Sequence, residues 1–138
     1  MKIAVIIARV LMGLIFTVFG ANGLHPFIPM GPMPTGLAGQ FMVVFFQSHW
    51  VAFVAAAQLV CGLLLLVNRY VPLALALLGP VITNIILYHL LLNPAGAQLA
   101  VVVTILWFFL FYAYRQYFSG LFVQKAAWDS APASARRL

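Results

Sequence analysis

Long uncharged stretches constrain this chain more than any other feature of its sequence. Of its 138 residues 66% are apolar and only 6% are charged, with seven Lys or Arg residues against one acid, Asp129. A soluble domain covers its surface with about a quarter charged residues, and a disordered chain carries far less apolar surface than this one. The sequence therefore predicts an integral membrane protein and excludes a water-soluble monomer.

Four apolar blocks reach the length of about 18 mostly apolar residues that a membrane-spanning helix needs. The predicted spans are residues 3–24, 50–67, 71–92 and 97–118. Arg9 interrupts the first block, which makes it a poor signal peptide, so we expect it to be retained. The predicted fold is an all-α membrane protein, an antiparallel four-helix transmembrane bundle over residues 1–123. Residues 124–138 are expected to form a flexible cytoplasmic tail.

The segment between the first two spans, residues 25–49, is predicted to lie outside the bundle. Residues 25–36 contain four prolines and two glycines, a density that no helix tolerates. Residues 37–49 lack Lys, Arg, Asp and Glu and are mostly large and apolar. We expect them to form a short interfacial or re-entrant helix that leads into the second span.

The positions of the basic residues predict the orientation, because cytoplasmic loops of membrane proteins are enriched in Lys and Arg. If the four spans alternate in direction, six of the seven basic residues fall on one side, whereas residues 25–49 and 93–96 on the other side contain none. Both termini are therefore expected in the cytoplasm. The six residues are Lys2, Arg69, Arg115, Lys125, Arg136 and Arg137.

Arg9 is the one charge inside a predicted span, about 9 Å from its cytoplasmic end at 1.5 Å per residue. It shares a helical stripe with Gly13, Phe16 and Gly20, and glycines on one stripe mark where another helix approaches closely. Arg9 is interpreted as a structural arginine that faces the bundle, with snorkelling to the membrane surface and direct ligand binding as alternatives. The predicted structural polar residues are Arg9 and Asn22, and the predicted packing residues are Gly13, Gly20, Gly62, Gly79 and Pro80.

Four polar side chains, one from each span, are predicted at a common level in the outer half of the bundle. They are Thr17, Gln58, Asn84 and Thr104. Hydrogen bonds between helices explain them at about 0.6 kcal/mol per bond. The alternative is a small polar pocket for the headgroup of a quinone or a lipid, to which Tyr88 and His89 would also contribute.

The composition also excludes several kinds of chemistry. With Asp129 as the single carboxylate there is no acid pair and no carboxylate proton relay. Cys61 alone can form neither an internal disulfide nor a CxxC pair. His25, His49 and His89 lack the spacing of metal motifs, so no metal site is predicted. The basic residues flank apolar blocks instead of forming one clustered face, which excludes a nucleic-acid partner.

Several motifs, each weakly specific alone, occur together in one order. In chain order they are Arg9-x3-Gly13-x2-Phe16-x3-Gly20, Gln58-Leu-Val-Cys-Gly62 followed by Asn68-Arg69, Pro72 to Gly79-Pro80, Asn84, His89 and Asn93-Pro-Ala-Gly96. With these motifs the chain resembles the DoxX family of small four-helix bacterial membrane proteins over about residues 5–118. The family pattern often has a glutamate where this chain has Gln58. A glutamine cannot ionise, so proton uptake coupled to quinone reduction could not pass through it.

The resemblance implies an accessory subunit of a membrane redox or electron-transfer complex in the bacterial inner membrane, because the family is named after a subunit of a thiosulfate:quinone oxidoreductase. It implies no covalently bound cofactor, quinone as the candidate ligand, and as partners membrane lipids and a larger membrane complex or a second copy of the chain. On its own such a subunit is not expected to be an enzyme. The alternatives are a quinone-linked oxidoreductase subunit and a small scaffold or transporter.

Overall fold

The computed structural model describes residues 1–126 and residue 128, which form helices and turns without a β-strand. The predicted all-α fold is confirmed for this part of the chain. Asp129, Arg136, Arg137 and most of the predicted tail lie outside the described residues. The α-helices are α1 (Lys2–Leu24), α2 (Gly36–Gln47), α3 (Trp50–Leu66), α4 (Val71–Leu91) and α5 (Ala97–Ala113), followed by 3₁₀ turns at Arg115–Tyr117 and Ser119–Phe122.

Four of the helices pack in a ring, with α1 on α3, α3 on α4, α4 on α5 and α5 on α1. Gly13 of α1 lies beside Leu66 of α3, whereas Gly23 near the other end of α1 lies beside Ala55. The two helices therefore run antiparallel, and their closest approach is lined by small residues.

The two ends of the ring differ in packing. Completely buried side chains from all four helices meet at one end, where Met12, Leu65, Leu78 and Leu110 are each 0% exposed. This end holds the turn between α3 and α4, and its buried side chains form the hydrophobic core. The opposite end, which carries α2 and the proline-rich segment, encloses the cavity described below.

Two helices, α1 and α4, are long and apolar enough to span a membrane. The pair α2 and α3 qualifies together as a third, broken span with a bend of 79° between its halves. At the break His49 has a φ of 60°, in the left-handed region that a helix cannot continue through. Two or three of the helices could therefore cross a membrane, as expected of a membrane protein.

The helices α1, α3 and α4 begin and end within one residue of the first three predicted spans, whereas α5 ends five residues before the end of the predicted fourth span. The α-helix ends at Ala113, and Arg115 then donates to the Tyr112 carbonyl at 2.8 Å, which satisfies a group of the last turn. The chain turns back so that Phe118 is buried, with its ring centroid 4.7 Å from that of Phe111. The apolar pattern continues past the helix because Phe118 belongs to the core.

Candidate ligand cavity

A cavity of about 280 Å³ lies among α1, α3, α4 and α5 at the end of the ring that carries α2. Most of its lining residues are aliphatic, and three are phenylalanines, Phe16 and Phe19 from α1 and Phe45 from α2. The polar side chains among its lining residues are Gln58 and His89. Small-molecule sites measure about 300–1,000 Å³ and are mostly apolar with a few polar groups. The cavity is slightly smaller than that range, so its volume limits a ligand to about one headgroup.

Gln58 reaches the cavity from α3, one helical turn before Gly62. Its side chain is half-buried and forms no hydrogen bond with the part of the chain that the structure describes. A primary amide carries two N–H donors and a carbonyl acceptor. Gln58 therefore presents both a donor and an acceptor to whatever enters the cavity.

His89 reaches the cavity from α4 and is held by the turn that follows that helix. Its Nδ1 lies 2.9 Å from the backbone oxygen of Asn93. Gly96, also part of the cavity wall, has a φ of +81°, and a Cβ there would lie 3.4 Å from Cε1 of His89. The edge of the ring that carries Nδ1 and Cε1 thus faces the turn, and Nδ1 is engaged there.

Asn84 and Tyr88 line a different site, a groove of about 200 Å³ that includes Phe41 of α2. The Asn84 side chain is exposed and donates to the Pro80 carbonyl at 2.9 Å, within its own helix. The Tyr88 ring lies 5.4 Å from that of Phe41, and its buried hydroxyl has no hydrogen-bond partner among the described residues. The structure therefore does not bring Asn84 and Tyr88 together with Gln58.

The two threonines predicted at the same level also lie outside the cavity wall. Thr104 donates to the Ala100 carbonyl of its own helix at 2.7 Å. Thr17 packs against Gly62, and its buried hydroxyl has no partner in the described part of the chain. Of the six residues predicted to bind a ligand, the structure places Gln58 and His89 in one cavity and the other four elsewhere.

Arg9 lies at the tightly packed end of the ring and is only 8% exposed. Its Nη1 donates to the carbonyl of Leu65 and, at 3.4 Å, to that of Leu66. Both carbonyls belong to the C-terminal end of α3, where the last four carbonyls lack helical partners and the helix dipole is negative. The guanidinium therefore caps α3 and does not line the cavity.

The remaining predicted residues have local roles. The Asn22 side-chain oxygen accepts from the amides of Phe27 and Ile28 at 2.9 and 2.7 Å, which orders the start of the proline-rich segment. Gly79 faces the ring of Trp107 on α5. Pro80 lies within α4, which continues as one helix through it although proline cannot donate to the preceding turn.

Sequence reasoning missed several groups that shape the site. The sequence predicts Phe45 only as part of an interfacial helix, and no neighbouring residue in the sequence indicates that it lines a cavity. Trp107 donates from Nε1 to the Leu75 carbonyl at 2.8 Å and so ties α5 to α4. A buried tryptophan N–H normally finds such a partner, so a tryptophan in a predicted span is itself a signal of a bond between helices.

The lining residues offer phenylalanine rings, one amide and one imidazole to a ligand. The described residues contain no group of three or more His, Cys, Asp or Glu that could hold a metal ion. No family model, curated protein or solved structure matches this chain. Its function is therefore argued from the cavity and the arrangement of the helices.

Proposed function

We propose that this chain is a four-span protein of the bacterial inner membrane that holds the headgroup of a quinone in its central cavity. It would serve as a DoxX-like accessory subunit of a membrane redox complex and carry no covalently bound cofactor. The observation that carries the proposal is the apolar cavity in which Gln58 and His89 are the polar lining residues.

Four crossings are supported by the way α3 and α5 pack. Each has 17 residues, the lower end of the range of about 17–25 that spans a bilayer. The helix α3 runs antiparallel along α1, and α5 packs between α4 and α1. If α1 and α4 cross the membrane, the helices packed between them lie at the same depth and cross it too.

Cytoplasmic termini are supported by where the antiparallel helices place the basic residues. Lys2 begins α1, Arg69 lies in the turn between α3 and α4, and Arg115 follows α5, so all three lie at the same end of the ring. The connections at the opposite end, residues 25–35 and 92–96, contain no Lys or Arg. This asymmetry is typical of a cytoplasmic face.

The size and lining of the cavity support a quinone headgroup as the ligand. Its ring would pack against phenylalanines such as Phe16 and Phe19, and its carbonyl oxygen would accept from the Gln58 amide. The apolar tail would leave between the helices into the lipid. Gln58 cannot ionise, so its role would be to bind and position the headgroup for a partner complex.

Replacing Gln58 by leucine tests this proposal. The purified protein in detergent should bind decylubiquinone saturably, and Gln58→Leu should weaken the affinity about three- to tenfold, the value of one hydrogen bond of about 0.5–1.5 kcal/mol. Binding can be measured by isothermal titration calorimetry at a fixed detergent concentration.

Asn84→Leu is the matched control, because it removes an amide from α4 that lies in the outer groove and bonds within its own helix. It should keep the parental affinity. Equal loss in both variants, or no saturable binding to the parent protein, would contradict a quinone site in the cavity.

A further inference from the structure

We propose that the cavity prefers the reduced, hydroxyl-bearing form of its ligand, a hydroquinone, over the oxidised quinone. This inference rests on the proposed function and adds which redox form is bound more tightly. It follows from the hydrogen bond that fixes the ring of His89.

The bond to Asn93 determines which nitrogen of His89 carries the proton. A backbone carbonyl can only accept a hydrogen bond, so the 2.9 Å contact from Nδ1 to the Asn93 oxygen requires a proton on Nδ1. A neutral imidazole with a proton on Nδ1 has a bare lone pair on Nε2. In this form Nε2 can accept a hydrogen bond but cannot donate one.

The turn after α4 holds the Asn93 carbonyl in place. The Asn93 amide donates to the Tyr88 carbonyl at 3.0 Å, and its side-chain oxygen accepts from the Ala95 amide at 3.3 Å. The Ala97 amide donates to the Pro94 carbonyl at 3.3 Å and closes the turn. Turning the ring so that Nδ1 faces the cavity would leave the Asn93 carbonyl without this donor, which costs free energy.

His89 lines the cavity, and an acceptor nitrogen on its ring would distinguish the two redox forms. A hydroquinone hydroxyl can donate to Nε2, whereas a quinone oxygen is itself an acceptor and would face the lone pair of His89. Gln58 does not discriminate, because a primary amide can turn to present either its donor or its acceptor. The other lining residues are apolar, so His89 is the positioning residue that sets the preference.

The test compares the binding of decylubiquinol and decylubiquinone to the purified full-length protein. The parent protein should bind the quinol about three- to tenfold more tightly, the value of one hydrogen bond. In His89→Gln, whose amide can donate or accept, the ratio should fall to about one. Asn84→Leu, outside the cavity, should keep the parental ratio.

Nitrogen-15 NMR of histidine-labelled protein gives a second readout that does not depend on binding, with the His89→Gln spectrum assigning the signal. The expected result is protonation at Nδ1 of His89. A proton on Nε2, equal affinities of the parent for both probes, or an unchanged ratio in His89→Gln overturns the preference alone. Failure of the parent to bind either probe overturns this inference and the proposed function together.

Discussion

Replacing Gly62 by alanine is expected to destabilise the protein by about 1–3 kcal/mol or more, the range for forcing extra atoms into a packed interior. A Cβ at this position would lie 2.5 Å from the amide nitrogen of Thr17 and 2.9 Å from the carbonyl carbon of Phe16. Both are backbone atoms of α1, which cannot turn aside as a side chain can. The substitution must therefore push α1 away from α3, and the thermal midpoint in detergent should fall.

Gly20→Ala should behave in the same way, because its Cβ would lie 2.5 Å from the amide nitrogen of Leu59. Gly79→Ala is the control, since the nearest atom, on the ring of Trp107, would be at an ordinary 3.4 Å. Alanine is also favoured over glycine within helices by about 1 kcal/mol, so this variant should be as stable as the parent or more so. If Gly62→Ala is as stable as Gly79→Ala, then α1 and α3 do not pack this closely.

Arg9→Leu is expected to lower the stability by a similar amount. The substitution removes the guanidinium from the carbonyls of Leu65 and Leu66. The Leu65 carbonyl keeps the Asn68 amide as a donor at 3.3 Å, so the acceptor left without a donor is the partly buried carbonyl of Leu66, at a cost of roughly 1–3 kcal/mol. It also removes a positive charge from the negative end of α3, worth about 0.3–1 kcal/mol. In the other direction, the substitution removes the cost of holding a charge in the membrane. That cost is about 2.5–3.5 kcal/mol at the centre of the bilayer and less near the edge, where Arg9 is proposed to lie.

Thermal unfolding in one detergent measures this balance. Arg9→Lys should recover part of the loss, because lysine keeps the charge but lacks the planar fork of donors. Arg115→Leu is the control, since Arg115 is exposed and also donates to a carbonyl at a helix end. Arg115→Leu should lower the stability much less than Arg9→Leu does. An Arg9→Leu variant as stable as the parent would assign Arg9 to snorkelling and remove its role as the cap of α3.

The helix bounds were predictable from the sequence wherever polar or proline-rich residues interrupt the apolar runs. The runs end at the proline-rich segment and at the short turns around Arg69 and Asn93, and the helices end there too. The end of α5 has no such interruption, because Phe118 lies beyond the helix but is buried in the core. An apolar run indicates residues that are buried or that contact lipid. It predicts the end of a helix only where the buried residues are also the helical ones.

The site was only partly predictable from the sequence. Counting residues from the end of a span gives the depth of a residue in the membrane but not the direction in which its side chain points. Gln58 and Asn84 are each eight residues from the outer end of their predicted spans, yet one lines the cavity and the other the outer groove. An amphipathic helix shows which face is buried. Helices that are apolar on every face carry no such signal, so packing details such as the close approach at Gly62 decide where a side chain points.

Cysteine labelling in sealed cells tests the central claim, that all four helices cross the membrane, most directly. In a Cys61→Ala background, single cysteines at Thr35, Val67, Ala95 and Gln124 would report on the three connections and the segment after α5. An impermeant thiol reagent applied outside should label the cysteines at positions 35 and 95 and leave those at 67 and 124 unlabelled until the cells are opened. Two consecutive positions on the same side would show that the helix between them does not cross and would contradict the four-span bundle, whereas a fully reversed pattern would overturn only the orientation.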